Sequence, residues 1–161
     1  MKRVIWFVLL AAALRMSGLL PFESHDVAQL VPVEALVVSL DGGTVVLDGG
    51  DAQGRGGDWQ SALADLEESG DGTVFLSTAG QLVLVGRAVK LLPEIVASGR
   101  LRPAAAVCYA AAAPDPSDVT DYLSAHECGV TVQRLQAAAL RGETVALPWL
   151  VETEGGLRLY G

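Results

Sequence analysis

The apolar residues between Asp58 and Gly86 change from a helical spacing to a strand-like spacing. Four of them recur on one side of a helix, while the acidic residues of the same segment fall elsewhere. These four residues are Trp59, Ala62, Leu63 and Leu66. Asp58 can accept hydrogen bonds from the free N–H groups of a first helical turn. The pattern therefore predicts a helix that begins after Asp58 and ends at Gly70 and Gly72.

Two short runs of β-branched, aromatic and leucine residues follow, Thr73–Leu76 and Gln81–Val85. They are too short for helices and too apolar to lie exposed, so they predict two buried strands. We interpret this helix and these strands as the core of the domain.

Strand patterns also precede this core. The segments Val31–Leu40 and Gly43–Asp48 predict two strands. Between them, Asp41-Gly42-Gly43 predicts a tight turn, because glycine adopts the positive φ values that such turns require. The segment Gly49–Asp58 is rich in glycine and aspartate and predicts a flexible, solvated loop.

Helical and strand patterns alternate in the second half of the chain. Arg87–Ser98 has helical spacing around Pro93, which predicts either a kinked helix or two short helical pieces that meet. Further helices are predicted from Ser117, as the capping residue, and over Thr131–Leu140. The remaining apolar runs predict strands over Leu101–Ala111, Ala146–Glu152 and Leu157–Tyr160.

This order predicts an α/β (α+β) fold, a mixed β-sheet with helices packed on it that opens with an antiparallel hairpin. The 161 residues suit one domain, and a hydrophobic share of 51% argues against disorder. The net charge of −8 and the scattered basic residues argue against nucleic-acid binding, which needs clustered Lys and Arg.

The N-terminus has the layout of an export signal. Lys2 and Arg3 precede the apolar run Val4–Leu14, which is shorter than the roughly 20 residues that span a bilayer. We expect residues 1–20 to be a cleaved signal or a retained membrane anchor, followed by a single α/β domain over residues 21–161. The alternative is a buried N-terminal strand or helix.

Candidate chemistry is sparse. Cys108 lies in an apolar run, so it and Cys128 are either free thiols or, in an exported protein, a disulfide. His25 and His126 lack the spacing of metal ligands. Four aspartates around the glycine-rich segment lack the spacing of a calcium loop; they are Asp41, Asp48, Asp51 and Asp58. No metal or cofactor is therefore expected.

Catalytic patterns are equally weak. Asp121, Ser124 and His126 are close in sequence, but the members of a catalytic triad normally come from separate elements. Glu67 and Glu68 lie on the polar side of the predicted helix and indicate solvation. The sequence therefore predicts a non-enzymatic, structural or binding role.

The order of segments resembles the N-terminal domain of Ger(x)C-type spore-germination proteins, the C subunits of germinant receptors. The similar segments include MKRVIWFVLLAAAL, HDVAQLVPVEALVVSLD, GRGGDWQSALADLEES, DPSDVTDYL and LPWLVETEGGLRLYG. The central segment VFLSTAGQLVLVGRAVKLLPEIVASGRLRPAAAVCYAAA follows the same order. The chain departs from the family at Met16-Ser17-Gly18-Leu19, where no cysteine offers a lipidation site.

The resemblance implies an exported, membrane-associated component that contacts membrane proteins of a germination receptor. A second hypothesis is a small extracytoplasmic ligand-binding module, with the Gly49–Asp58 loop as a mobile rim.

Overall fold

The computed structural model describes residues 30–69 and 73–161. The predicted signal, His25 and the helix end at Gly70 and Gly72 lie outside these residues. The described chain forms a seven-stranded mixed sheet and a separate two-stranded pair, with four α-helices.

The strands are β1 (Leu30–Pro32), β2 (Ala35–Asp41), β3 (Thr44–Asp48), β4 (Gln53–Gly56), β5 (Thr73–Phe75), β6 (Gln81–Val85), β7 (Ala106–Ala110), β8 (Trp149–Thr153) and β9 (Gly156–Tyr160). The helices are α1 (Trp59–Ser69), α2 (Leu92–Ser98), α3 (Pro116–Ala125) and α4 (Val132–Arg141). Short 3₁₀ turns cover Leu76–Thr78 and Gly86–Leu91.

The main sheet has the strand order β4-β3-β2-β6-β7-β8-β9. Its centre is parallel, from β2 through β6 and β7 to β8. Antiparallel strands complete both sides, β3 and β4 at one and β9 at the other. The predicted mixed sheet with packed helices and an opening antiparallel hairpin is therefore confirmed.

The sheet has apolar side chains on both faces. Leu82 and Leu84 of β6 belong to one buried cluster, and Val83 between them belongs to the other. This alternation is the two-residue period of a strand covered on both sides. We call these sides the first face, which α1, α2 and α4 cover, and the second face, which α3 covers.

Helix α1 confirms the helix predicted after Asp58. All four residues of its predicted apolar side are buried: Trp59, Ala62, Leu63 and Leu66. Asp58 caps the helix, since its Oδ1 accepts hydrogen bonds from Ser61 Oγ and Ser61 N, at 2.7 and 2.8 Å. These hydrogen bonds from Ser61 lower the pKa of the Asp58 carboxyl.

The prediction of a loop throughout Gly49–Asp58 is wrong, because this segment contains strand β4. The strand alternates glycine with polar residues and has no apolar side chains to mark it. Its glycines let α1 lie directly on the backbone, and a Cβ on Gly54 would lie 2.5 Å from Leu66 N. The missing side chains are thus a requirement for packing rather than a sign of flexibility.

The predicted strand Val31–Leu40 is interrupted at Val33–Glu34. Strand β1 pairs with β5 outside the main sheet, whereas β2 pairs with β3 and β6 inside it. One apolar run therefore serves two sheets. The predicted turn after it is confirmed, with Gly42 and Gly43 at φ values of 56° and 97°.

The Pro93 segment forms two pieces, a 3₁₀ turn followed by α2, with the proline in the first turn of α2. Strand β7 begins at Ala106, later than predicted, because Ala105 N donates to Arg102 O in a turn before it. Asp115, not Ser117, caps α3, and its side chain accepts a hydrogen bond from Ser117 N at 2.8 Å.

Candidate functional site

Asp121, Ser124 and His126, which are close in sequence, make local contacts around the end of α3. Ser124 Oγ donates to the backbone oxygen of Asp121 at 2.9 Å. The His126 ring stacks on the Tyr122 ring, with centroids 4.1 Å apart, and its Nδ1 lies 2.8 Å from Tyr122 O. Ser124 and His126 are therefore each occupied with backbone groups of their own helix.

Both cysteines are free thiols in the second-face cluster. Cys128 Sγ lies 3.4 Å from Val107 O and 3.5 Å from Val130 O, so the thiol donates weakly to the backbone. Burial, with a smaller effect from Cys128, raises the pKa of Cys108 to about 12. A thiol with this pKa stays protonated near neutral pH and is a poor nucleophile.

Within residues 30–69 and 73–161, no group of three or more His, Cys, Asp or Glu side chains is placed to hold a metal ion. The same residues include no helix with the length and hydrophobicity needed to cross a membrane.

An apolar groove with a volume of about 730 Å³ lies between α2 and α4. It is lined by Leu92, Pro93, Val96, Ala97, Leu135, Gln136, Ala138, Ala139, Leu140, Glu143, Thr144 and Val145. Leu140 projects from this lining with 90% of its surface exposed. We call this depression the α2–α4 groove.

Two of the polar side chains of the α2–α4 groove, Gln136 and Glu143, have partners within the protein. Gln136 Nε2 donates to Val96 O at 3.1 Å and ties the two helices together. Glu143 Oε2 accepts from Arg141 Nε at 2.9 Å, which balances the one charged side chain of the lining. The groove therefore presents a largely neutral, apolar surface.

A smaller cavity of about 320 Å³ lies between the β3–β4 connection and the start of α3. Gly49, Gly50 and Asp51, from the loop predicted as a ligand rim, form part of its wall. Glu34 and Asp121 also line it, and its lining contains no Lys or Arg. Three residues of the segment predicted as a ligand rim therefore line a polar, acidic cavity.

No protein-family model, curated protein sequence or solved structure matches this chain. These comparisons identify no family. The structure shows a mixed α/β fold, and the resemblance to germination proteins stays a prediction.

Sequence reasoning missed the α2–α4 groove. The buried residues of α4 recur at Val132, Leu135 and Ala138, and Leu140 falls away from that side. A leucine outside the buried pattern was the available signal. The second wall could not be foreseen, because α2 lies about 40 residues earlier in the chain and nothing in the pattern pairs the two helices.

Proposed function

We propose that this protein is a non-enzymatic component that acts by binding another protein, and that an amphipathic helix of the partner docks in the α2–α4 groove. The observation that supports this proposal is the groove itself, a neutral apolar trough with a fully projecting leucine at its side. Exposed apolar patches rimmed by polar residues mark protein interaction sites and ligand-binding grooves.

The lining favours a protein segment over a small molecule. Small-molecule sites combine apolar walls with a few free polar groups that orient the ligand. Here the Gln136 amide and the Glu143 carboxylate are already bonded within the protein. A helix that presents only apolar side chains needs no such groups, and helix-in-groove docking is a common mode of recognition.

The charges beside the groove indicate which helix would fit. The 3₁₀ turn that leads into α2 carries Arg87 and Lys90, both exposed, and the first turn of α2 carries the exposed Glu94. An acidic residue at one end of the partner helix would therefore be attracted to this side. A second copy of the chain is less suited, because each copy carries a net charge of −8.

The predicted export and the resemblance to germination proteins complete the proposal. They place the partner among membrane proteins of a germination receptor, on the extracytoplasmic face. Fractionation of the native cells tests this part: the protein is expected with the membranes, and recovery as a free monomer in the soluble fraction would contradict it.

The groove is tested by site-specific photo-crosslinking in those cells. A benzophenone amino acid replaces Leu140, whose exposure makes the substitution harmless to the fold. We expect one discrete adduct, identified as a protein by mass spectrometry. The matched control carries the same probe at Ser124, an exposed position on α3 at the second face.

The result separates docking from chance collisions. An adduct from position 140 that is absent from position 124 supports docking in the groove. Identical adducts from both positions, or none from position 140, would refute it.

A second candidate function is supported by the cavity that contains Gly49, Gly50 and Asp51. Its acidic lining suits a small cationic metabolite. A thermal-shift screen of amines tests this function, with stabilisation expected in the wild type and lost in Asp121→Asn. Absence of any stabilisation across the screen would count against it.

A further inference from the structure

An aromatic row crosses the three strands at the β9 side of the sheet. Tyr109, Trp149 and Tyr160 are direct partners in the registers of β7 with β8 and of β8 with β9. The exposed fractions of Trp149 and Tyr160 are 49% and 54%. The Tyr109 and Trp149 rings have centroids 6.4 Å apart.

These aromatic residues lie on the first face of the sheet. Leu150, Leu157 and Leu159 alternate with them along β8 and β9 and belong to the second-face cluster. Since side chains alternate along a strand, Trp149 and Tyr160 point to the opposite side. The row is therefore an aromatic surface that stays half open to solvent.

A basic side chain lies on the same face as the aromatic row. Arg158 is exposed and lies two residues from Tyr160, on the same side of β9. Within the described residues it forms no salt bridge. Glu152 is the register partner of Leu157 and so belongs to the second face. Arg158 is thus the one charged side chain at the first-face positions of β8 and β9, and Glu154 lies in the turn that joins the two strands.

The surrounding charges are separated in the same sense. The segment 86–102, on the first face, carries four basic residues against one acidic residue. The segment 114–129, which contains α3 on the second face, carries four acidic residues and no Lys or Arg. The segment 86–102 on the first face is therefore basic, with Arg100 paired to Glu67 of α1, and the segment 114–129 on the second face is acidic.

We propose that the row of Tyr109, Trp149 and Tyr160, together with Arg158, rests on the surface of an anionic lipid bilayer. Trp and Tyr have an apolar body and a polar tip and are enriched at membrane interfaces. Arginine extends its charge toward lipid phosphates while its stem covers apolar surface. This inference deepens the proposed membrane association and does not depend on the α2–α4 groove.

A bilayer fits this surface better than a small ligand does, because Trp149 and Tyr160 are half exposed side by side on the sheet. The acidic helix α3 would then point away from the lipid, so the charge separation orients the domain on an anionic membrane.

The test follows the fluorescence of Trp149 in the full-length chain. Trp6→Phe removes the tryptophan of the N-terminal segment, and Trp59 is fully buried, so lipid can reach only Trp149. The probes are vesicles of phosphatidylcholine, with or without phosphatidylglycerol, whose acyl chains are brominated. We expect quenching in the anionic vesicles, and its loss when Trp149→Phe is added.

Paired variants test the charge. Arg158→Gln is expected to weaken binding to the anionic vesicles about fivefold, which corresponds to about 1 kcal/mol for one basic residue near the membrane. Arg55→Gln removes the same charge from β4, at the far side of the sheet, and is expected to leave the affinity unchanged. Equal losses in the two variants would overturn the inference.

Two other outcomes would also overturn it. If the vesicles retain the protein through its N-terminal segment while Trp149 stays unquenched, the aromatic row does not contact lipid. If a photo-crosslinker at position 149 yields protein adducts rather than lipid adducts in cells, the surface serves a protein partner. Crosslinking from position 140 is read separately, so this inference and the proposed helix docking can fail independently.

Discussion

Gly54 is the position where one added methyl group should disturb the fold most. A Cβ built on it lies 2.5 Å from Leu66 N and 2.6 Å from Leu66 Cβ, and it also meets the backbone oxygen of Ala62. Ordinary contacts of a Cβ atom lie at 3.4 to 4 Å. The Gly54→Ala substitution therefore requires α1 and β4 to separate by about 1 Å, a movement that overpacking typically forces.

The cost of this separation follows from what α1 holds in place. Trp59 and Leu66 of α1 are fully buried. Moving α1 away from β4 therefore loosens the packing of both side chains. Overpacking costs about 1 to 3 kcal/mol, and the upper end applies here because the clash involves backbone atoms that cannot change rotamer. We expect Gly54→Ala to lower the free energy of unfolding by about 3 kcal/mol, a large share of the stability of a single domain.

Gly57→Ala is the matched control. A Cβ on Gly57 meets nothing within 4 Å, and its φ is not positive. Both substitutions restrict the unfolded chain equally, so the difference between the two variants isolates the clash. The assay is urea denaturation followed by circular dichroism. If the two variants unfold with free energies within about 0.5 kcal/mol of each other, the close packing of β4 on α1 is refuted.

Two further predictions concern the second face. Burial raises the pKa of Cys108 from an ordinary value of 9.0 to about 12. As the pH rises, this thiol therefore ionises in the unfolded chain before it ionises in the folded one. Stability should therefore fall by up to about 4 kcal/mol as pH rises from 9 to 12. Over this pH range the urea midpoint of Cys108→Ala should fall less steeply than that of the wild type. Equal slopes would contradict the raised pKa of Cys108. The Tyr122 hydroxyl oxygen on α3 accepts a hydrogen bond from the Leu159 N–H of β9 at 2.9 Å. Tyr122→Phe should cost about 1 kcal/mol and expose a strand edge; size-exclusion chromatography should show self-association, and an unchanged monomer would contradict the second expectation.

The regular apolar spacing made α1 and β6 predictable. In α1 the residues with helical spacing are the buried ones, and in β6 the whole run lies in the sheet. Local spacing and tertiary burial agree there, so the pattern alone was sufficient. The same agreement explains why the sheet with packed helices was predicted correctly.

Strand β4 could not be predicted, because its identity depends on a neighbour. Gly54 and Gly56 are typical of loops when the chain is considered alone. They become strand residues because β3 offers hydrogen-bond partners and α1 needs a surface without side chains. Both requirements arise only when distant elements meet.

The candidate sites could not be predicted for the same reason. Each wall of the α2–α4 groove comes from a different part of the chain, and the aromatic row combines β7 with β8 and β9. Aromatic residues about 40 positions apart, such as Tyr109 and Trp149, become neighbours only through the parallel register. Spacing along the sequence carries no signal for such a pairing.

Leu140 illustrates why the fold alone does not account for the surface of this protein. The buried side of α4 is supplied by Val132, Leu135 and Ala138, and Leu140 lies two residues beyond Ala138, turned by about 200° around the helix. Lysine, glutamine or glutamate would serve the helix about as well as leucine. A single exposed leucine needs no explanation, but this one adjoins the apolar α2–α4 groove. Core packing gives no reason for a leucine there, whereas a docked helix does.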